Sequence, residues 1–201
     1  SVTLGNHITI VRGENLRYYA NLIYVLNGGE LTLGDVTIDG GNVLYTESDP
    51  SRGALVRIQD SKLTMNDGSS LRNSTTGALT ITATANRSSS VVMNGGEICN
   101  NNSEESIPII DLSRDSAANT TSFTMNSGSI HDNTTRWRTI AMPYTMTGVN
   151  TSDKHIFNMN GGTIANNKVE KGVAGIDVFS GTFTMTGGSI ENNTSTEGCG
   201  G

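Results

Sequence analysis

The side chains best suited to metal binding or nucleophilic chemistry are few and widely spaced in this chain. It has two cysteines, Cys99 and Cys199, and three histidines, His7, His131 and His155. Neither cysteine has a partner at the short spacing of a zinc motif such as Cys-x-x-Cys, and the histidines share no ligand spacing. We therefore expect no metal site, no disulfide framework and no cofactor.

Aromatic and guanidinium side chains come together at one place in the sequence. The run Arg136, Trp137, Arg138 contains the only tryptophan, and Tyr144 follows shortly after it. Rigid aromatic rings beside arginines are favoured at protein and glycan contacts. These four residues are the candidate binding site, although anchoring of an ordinary loop is the interpretation that we favour for them.

The charge of the chain excludes some classes of partner. Its 201 residues carry a formal net charge of -6 and give a pI near 5.0. Nucleic-acid binding needs a concentrated basic surface, and no run of Lys and Arg occurs, so we expect no nucleic-acid partner. No stretch of about 20 apolar residues is present, so we also expect no membrane span.

One motif recurs along the chain. Four clear copies are VVMNGGEICNN at 91–101, FTMNSGSIHDN at 123–133, FNMNGGTIANN at 157–167 and FTMTGGSIENN at 183–193. Two weaker copies, LTLGDVTIDGG at 31–41 and LTMNDGSSLRN at 63–73, precede them. The apolar residue near the centre of the motif recurs every 26 to 34 residues, which indicates a solenoid with loops of variable length.

Each copy alternates as a β-strand does. In the last copy Phe183 and Met185 point to one side, and Thr184 between them points to the other. Gly-Gly and Asn-Asn pairs interrupt the units, which disfavours a helical repeat. Another short alternating strand lies upstream of each copy. We predict an all-β chain that forms a right-handed parallel β-helix, or β-solenoid, of about six to seven coils with three short strands per coil.

Stacked coils are expected to place equivalent side chains over one another. The predicted inward column is Leu33, Met65, Met93, Met125, Met159 and Met185, and flexible methionine suits a narrow core. Two corner columns are predicted to stack amide over amide: Asn66, Asn94, Asn126 and Asn160 at one corner, and Asn73, Asn100, Asn166 and Asn192 at the other. We interpret these asparagines as structural rather than catalytic.

The motif resembles a known repeat. Gly-Gly-x-Ile followed by x-x-Asn, as at 161–167, is similar to the pectin-lyase-like β-helix repeats of bacterial surface proteins, in particular the polymorphic outer-membrane-protein repeat. The resemblance covers nearly all of the chain, although here the two elements of that repeat are fused into one short motif. It implies a secreted or cell-surface bacterial module that acts as an adhesin or stalk and binds a host protein or glycan.

The resembled fold also hosts polysaccharide lyases and glycosidases, which need clustered carboxylates or an acid beside a base. The outward column of the upstream strand is Tyr24, Arg57, Thr80, Asp111, Ala141 and Asp177, and that of the strand after the glycines is Asp39, Arg72, Cys99, His131, Ala165 and Glu191. Asp111 and Asp177 lie two coils apart in the first, and neither column concentrates acid and base together. We therefore expect no catalytic residue and a non-enzymatic protein. A carbohydrate-active enzyme is the main alternative, and an ice-binding solenoid, suggested by outward threonines such as Thr32 and Thr64, is a remote one.

The whole chain is expected to be one unit. Residues 1–201 are predicted to form a single β-helix domain that belongs to a longer solenoid, because an open coil end exposes strand edges. We expect a monomer located outside the cell or on the bacterial surface.

Overall fold

Short parallel strands make up the regular structure of the protein in the computed structural model. The structure describes residues 1–13, 21–43, 53–84, 87–103, 107–114, 119–143 and 155–201, with the side chain of residue 114 left out. Within these ranges there are strands and no helix, so the all-β prediction is confirmed. Accordingly, none of the described segments is a helix that could cross a membrane.

The strands follow one another around each coil. Those of residues 2–83 are β1 (Val2–Leu4), β2 (Ile8–Val11), β3 (Ile23–Leu26), β4 (Glu30–Leu33), β5 (Val36–Asp39), β6 (Val56–Gln59), β7 (Lys62–Met65), β8 (Ser70–Arg72) and β9 (Leu79–Ala83). The next are β10 (Ser89–Met93), β11 (Glu97–Cys99), β12 (Asn102–Ser103), β13 (Ile110–Arg114), β14 (Thr121–Met125), β15 (Ser129–His131), β16 (Thr134–Thr135) and β17 (Arg138–Met142). The last are β18 (His155–Met159), β19 (Thr163–Ala165), β20 (Lys168–Val169), β21 (Val173–Val178), β22 (Thr182–Met185), β23 (Ser189–Glu191) and β24 (Thr194–Ser195).

Four parallel sheets form the sides of the coils. Sheet 1 is β1-β4-β7-β10-β14-β18-β22 and sheet 2 is β2-β5-β8-β11-β15-β19-β23. Sheet 3 is β12-β16-β20-β24, and sheet 4 is β3-β6-β9-β13-β17-β21. Each strand pairs with the equivalent strand of the next coil, which makes the chain a parallel β-solenoid, as predicted.

The cross-section differs from the prediction, and the number of full turns is about 4 rather than six to seven. Among the described residues, sheets 1 and 2 have 7 strands each, but about 4 turns also carry a strand of sheet 3, which the alternation pattern did not reveal. Strands of two residues are too short to give a period-two signal in a sequence. The solenoid is therefore a stack of about 4 full turns preceded by simpler three-sided ones, and the right-handed sense stays a prediction.

The core consists of apolar columns along the axis. The register pairs the predicted inward residues in succession: Leu33, Met65, Met93, Met125, Met159 and Met185. All but Met185 are fully buried, and Met185 is 42% exposed because it lies in the last coil. In the adjacent column the rings of Phe123 and Phe157 have centroids 5.1 Å apart. Full burial of one such apolar side chain contributes about 1.5–3 kcal/mol. The predicted column from Leu33 to Met185 is thus confirmed, and it is a main source of stability.

The glycine pairs of the motif form the turn between sheets 1 and 2. Gly162 has φ of 83°, and a Cβ atom there would lie 2.5 Å from Cε of Met125 and 2.7 Å from the carbonyl oxygen of Gly128. Both contacts come from the preceding coil. The turn thus needs glycine for its backbone conformation and for the close approach of the coils.

The turn after sheet 2 uses asparagine or aspartate in the left-handed conformation. Positive φ occurs at Asn73, Asn100, Asp132, Asn166 and Asn192, with values of 53° to 58°. These residue types adopt that conformation more readily than other non-glycine residues. The predicted amide stack at these positions is wrong, because the side chain of Asn73 donates to Asp39 and that of Asn100 to the sulfur of Cys99.

The amide ladder at this corner is formed instead by the next residue in each coil. Asn101 Nδ2 donates to Asn133 Oδ1, Asn133 Nδ2 to Asn167 Oδ1, and Asn167 Nδ2 to Asn193 Oδ1, each at 2.9 Å. Every amide also donates to a backbone carbonyl of the preceding coil, as Asn133 Nδ2 does to Ile98 O at 3.0 Å. Asn101, Asn133 and Asn167 are buried, so this ladder satisfies polar groups that water cannot reach.

The other predicted asparagine ladder is confirmed and lies on the outside. Asn94 donates to Asn66 at 3.3 Å, and Asn126 donates to Asn94 and Asn160 to Asn126 at 2.9 Å. Asn94, Asn126 and Asn160 are exposed, so water competes for these hydrogen bonds. The two ladders are chemically alike but differ in burial.

That difference predicts unequal effects of the same substitution. Asn133→Ala is expected to lower the free energy of unfolding by about 3 kcal/mol, because it leaves several buried donors and acceptors without partners. Asn126→Ala, in the same coil but in the exposed ladder, is expected to lower it by about 0.5 kcal/mol or less. Urea unfolding followed by circular dichroism measures both, and equal losses would show that burial of the inner ladder is unimportant.

Candidate functional site

A shallow groove of about 350 Å³ lies over sheet 3, and we call it the sheet-3 groove. Its exposed lining residues are Asn102, Thr134, Arg136, Lys168, Glu170 and Thr196. The groove is open to solvent along its length. It therefore presents side chains to a ligand from outside rather than enclosing a small molecule.

The two-residue strands of sheet 3 position the groove. Asn102, Thr134 and Lys168 are register partners that point outward, whereas Thr135 and Val169 beside them are buried. Each strand of sheet 3 begins directly after an asparagine of the buried amide ladder, so the hydrogen bonds of the ladder fix the position of the strand's first residue. The outward groups are thus spaced at the distance between coils, about 4.8 Å.

Charges in and beside the groove are mixed. Arg136 Nε lies 3.7 Å from Glu170 Oε2, and Lys171 Nζ lies 3.9 Å from Glu170 Oε1 and 3.5 Å from Glu197 Oε2. These exposed pairs contribute little stability, so their charges stay accessible to a ligand. Lys168 forms no ion pair within the part of the chain that the structure describes. It adds a cation to a protein whose net charge is -6.

The residues of the predicted binding site do not stay together. Arg136 lies at the sheet-3 groove, whereas Arg138 is the first residue of β17 in sheet 4 and pairs with Asp177. Trp137 between them is half-buried, and its indole Nε1 is buried with no hydrogen-bond partner among the described residues. Tyr144 lies outside the described residues. Only Arg136 therefore belongs to the groove.

The outer face of sheet 4 gathers more charge than we expected. The predicted column from Tyr24 to Asp177 is confirmed by the register. Arg57 lies over the ring of Tyr24, 5.4 Å from its centroid. We expected no column to bring an acid together with a base. This is wrong for sheet 4, because Arg138, at the start of β17, forms an ion pair with Asp177 on the same face.

Asp111 is the perturbed acid of this face. Burial of its carboxyl group raises its pKa to about 6, against the opposing effects of a hydrogen bond from Ser113 and of the positive charges of Arg57 and Arg138. The residue is still partly accessible to solvent. A carboxyl group with this pKa can give or take a proton near neutral pH.

Three potential metal ligands meet on the outer face of sheet 2. The register pairs Cys99 with His131, and Glu97 is two residues before Cys99 on the same side of the strand. One ligand atom from each of these residues lies within 4.8 Å of the other two. The histidines and cysteines share no spacing in the sequence, but stacking makes residues of successive coils neighbours, which a search for short motifs misses. The predicted outward column, which puts His131 after Cys99, contained the signal.

Hydrogen bonds fix the positions of these three side chains. Glu97 accepts from the hydroxyl of Ser70 at 2.9 Å, and His131 Nε2 lies 3.4 Å from Glu97 Oε2. Burial tends to raise the pKa of Glu97, but the hydrogen bonds from Ser70, Cys99 and His131 outweigh it and lower the pKa. Burial, with the nearby Glu97 charge, raises the pKa of the Cys99 thiol to about 11.

Comparison with known protein families, with curated proteins and with solved structures finds no match for this chain. The parallel β-solenoid is thus established by the structure of the chain itself. Because one fold can host many functions, the function depends on the chemistry of the sheet-3 groove and of the outer faces of sheets 4 and 2.

The raised pKa of Asp111 predicts a stability that depends on pH. The pKa is about 6 in the folded protein against an ordinary value of 3.8, so the folded state binds the proton more tightly. The contribution of Asp111 to the stability of the parent protein should fall as the pH rises from about 4 to 6 and then level off. Asp111→Asn should therefore gain stability relative to the parent across this range, by about 1–2 kcal/mol above pH 6.

Thermal unfolding of both proteins at several pH values measures this difference. Glu191→Gln, at an exposed position of sheet 2, controls for the loss of one negative charge. A stability difference between Asp111→Asn and the parent that stays constant from pH 4 to 7 would contradict the raised pKa.

Proposed function

We propose that the chain is a non-enzymatic β-helical module, secreted by a bacterium or displayed on its surface, that acts as an adhesin or stalk and binds a host protein or glycan. The sheet-3 groove is the observation that carries the proposal. The resemblance of the Gly-Gly-x-Ile repeats to those of pectin-lyase-like bacterial surface proteins supports the surface location and the host partner.

The chemistry of the groove favours an acidic glycan among these ligands. Outward amide, hydroxyl and cationic groups follow one another along the stack at Asn102, Thr134 and Lys168. Sugar hydroxyls can exchange hydrogen bonds with such groups, and Arg136 and Lys168 can bind a carboxylate or sulfate. An extended oligosaccharide also fits an open groove better than a compact molecule does.

Rigidity of the support favours binding. Under the groove, β16 and β20 each have a paired strand on both sides, and each is directly preceded in the sequence by a buried asparagine of the amide ladder. Side chains fixed to such a surface lose less conformational entropy when a ligand binds than side chains on a mobile loop. The same stacking gives a stalk its stiffness.

Substitution of the two cations tests this site. Arg136→Ala and Lys168→Ala are each expected to weaken binding of oligosaccharides that contain uronic or sialic acid by about tenfold, because each removes a charge-assisted hydrogen bond. Isothermal titration calorimetry with acidic and neutral oligosaccharides measures the effect. Lys62→Ala is the matched control, since Lys62 is an exposed lysine on sheet 1.

A second arm separates glycan from protein ligands. Binding to immobilised mucosal glycoproteins is measured before and after enzymatic removal of their glycans. Loss on deglycosylation identifies a glycan, and retention identifies a protein. If binding is absent in both cases, or if Arg136→Ala and Lys168→Ala change it no more than Lys62→Ala does, the proposal is wrong.

The outer face of sheet 4 favours a second candidate function, that of a carbohydrate-active enzyme. A pair of carboxyl groups in different protonation states is what glycoside hydrolysis requires. Asp111, with its pKa near 6, and Asp177, held by Arg138, could provide such a pair about 10 Å apart at two coil spacings. Two observations argue against this candidate: Ala141 lies between the two carboxyl groups, and Asp177 already forms an ion pair with Arg138.

Product analysis decides between the two functions. We expect no unsaturated or new reducing-end products when the protein is incubated with a panel of polysaccharides. Turnover that is abolished by Asp111→Asn and by Asp177→Asn, but unchanged in Lys168→Ala, would establish the enzyme instead.

A further inference from the structure

We propose that Glu97, Cys99 and His131 bind a divalent transition-metal ion of the zinc class on the outer face of sheet 2. The residues lie on β11 and β15, which are adjacent strands of one sheet, so the backbone fixes their relation. This site lies on a different sheet from the sheet-3 groove, and it would exist whether or not the groove binds a ligand.

The three side chains offer the ligand types that zinc prefers. Thiolate, imidazole and carboxylate together suit Zn²⁺ or Co²⁺, whereas Ca²⁺ and Mg²⁺ need a set of oxygens. Bonds of about 2.0–2.3 Å to one ion would bring the ligand atoms to roughly 3–4 Å from one another. They lie within 4.8 Å of one another now, so a shift of about 1 Å completes the arrangement.

The histidine is oriented for coordination. His131 Nδ1 lies 2.8 Å from Asp132 Oδ2, and Nε2 is directed toward Glu97. When Nδ1 donates its proton to the carboxylate, the lone pair on Nε2 is free to bind an ion. A carboxylate behind the ligating imidazole is the common arrangement in zinc sites. Ser70 has the same supporting position behind Glu97.

Charge and access are also suitable. An ion displaces the thiol proton of Cys99 into solvent, and the thiolate and the Glu97 carboxylate together balance two positive charges. Arg72, the other register neighbour of Cys99, directs its guanidinium to Asp39 at 3.0 Å. Cys99 is buried, but Glu97 and His131 are partly exposed and a depression of about 240 Å³ lies beside Glu97, so water can reach that side of the site and supply the fourth ligand.

Cobalt titration tests the site in the whole chain. The parent for this experiment is Cys199→Ser, which leaves Cys99 as the only thiol. We expect one Co²⁺ per chain, a cobalt–thiolate charge-transfer band, and displacement of Co²⁺ by Zn²⁺. His131→Ala and Glu97→Gln should each weaken Co²⁺ binding by at least about 10- to 100-fold. Loss of a residue that only supports a ligand already weakens metal binding by that much.

A second histidine supplies the matched control. His7 Nδ1 lies 2.5 Å from Asp35 Oδ2, so it has the same carboxylate neighbour as His131, but no cysteine of the described residues accompanies it in a ligand group. His7→Ala should leave Co²⁺ binding unchanged. Asp132→Asn should weaken it by about tenfold while the charge-transfer band persists, which distinguishes a supporting residue from a ligand.

Two results would overturn the proposal. One is the absence of a charge-transfer band when the folded protein is given excess Co²⁺. The other is an affinity that His131→Ala leaves unchanged while circular dichroism shows the fold intact. His131 is partly exposed, so its removal is compatible with folding, and the result does not depend on a Cys99 variant.

Discussion

Hydrogen bonding between each strand and its equivalent in the next coil is the interaction on which the rest of the structure depends. The register has no offset over most of the stack, so side chains at one motif position lie over one another at about 4.8 Å. Apolar positions then form continuous core columns, and the asparagines after sheet 2 form a buried ladder. A slip by one residue would turn the apolar side chains of that strand outward and break its contacts in every column.

The same register determines which chemical groups meet on the surface. Cys99 and His131 are far apart in the sequence, yet stacking makes them neighbours, and Thr134 and Lys168 meet over sheet 3 for the same reason. Loops that project from a rigid scaffold are where binding residues usually lie. The described surfaces with the most suitable geometry are instead the outer faces of the sheets, where the backbone sets the distance between groups.

Most of the fold could be predicted from the sequence, because the strand alternation and the glycine turn are repeated in each unit. The methionine column and the outer asparagine ladder followed from alignment of the copies, and the partners of Asp111 from alignment of the upstream strands. Sheet 3 was missed since a two-residue strand has no period, and the inner ladder was placed one residue early because two asparagines adjoin at that corner. Arg138 was grouped with the candidate binding site rather than with sheet 4 because its strand begins before the apolar alternation does. The grouping of Glu97 with Cys99 and His131 needed the side-chain positions.

Cross-linking of adjacent coils tests the register most directly, in protein whose two native cysteines are replaced by serine. Thr124 and Asn158 are register partners in sheet 1, and strands about 4.8 Å apart fall within the Cα range of a disulfide, about 4.4–6.8 Å. We predict that Thr124→Cys with Asn158→Cys forms an intramolecular disulfide on mild oxidation. Thr124→Cys with Ile156→Cys, offset by two residues, should not. Efficient cross-linking of the offset pair alone, or of both pairs equally, would contradict the in-register stack.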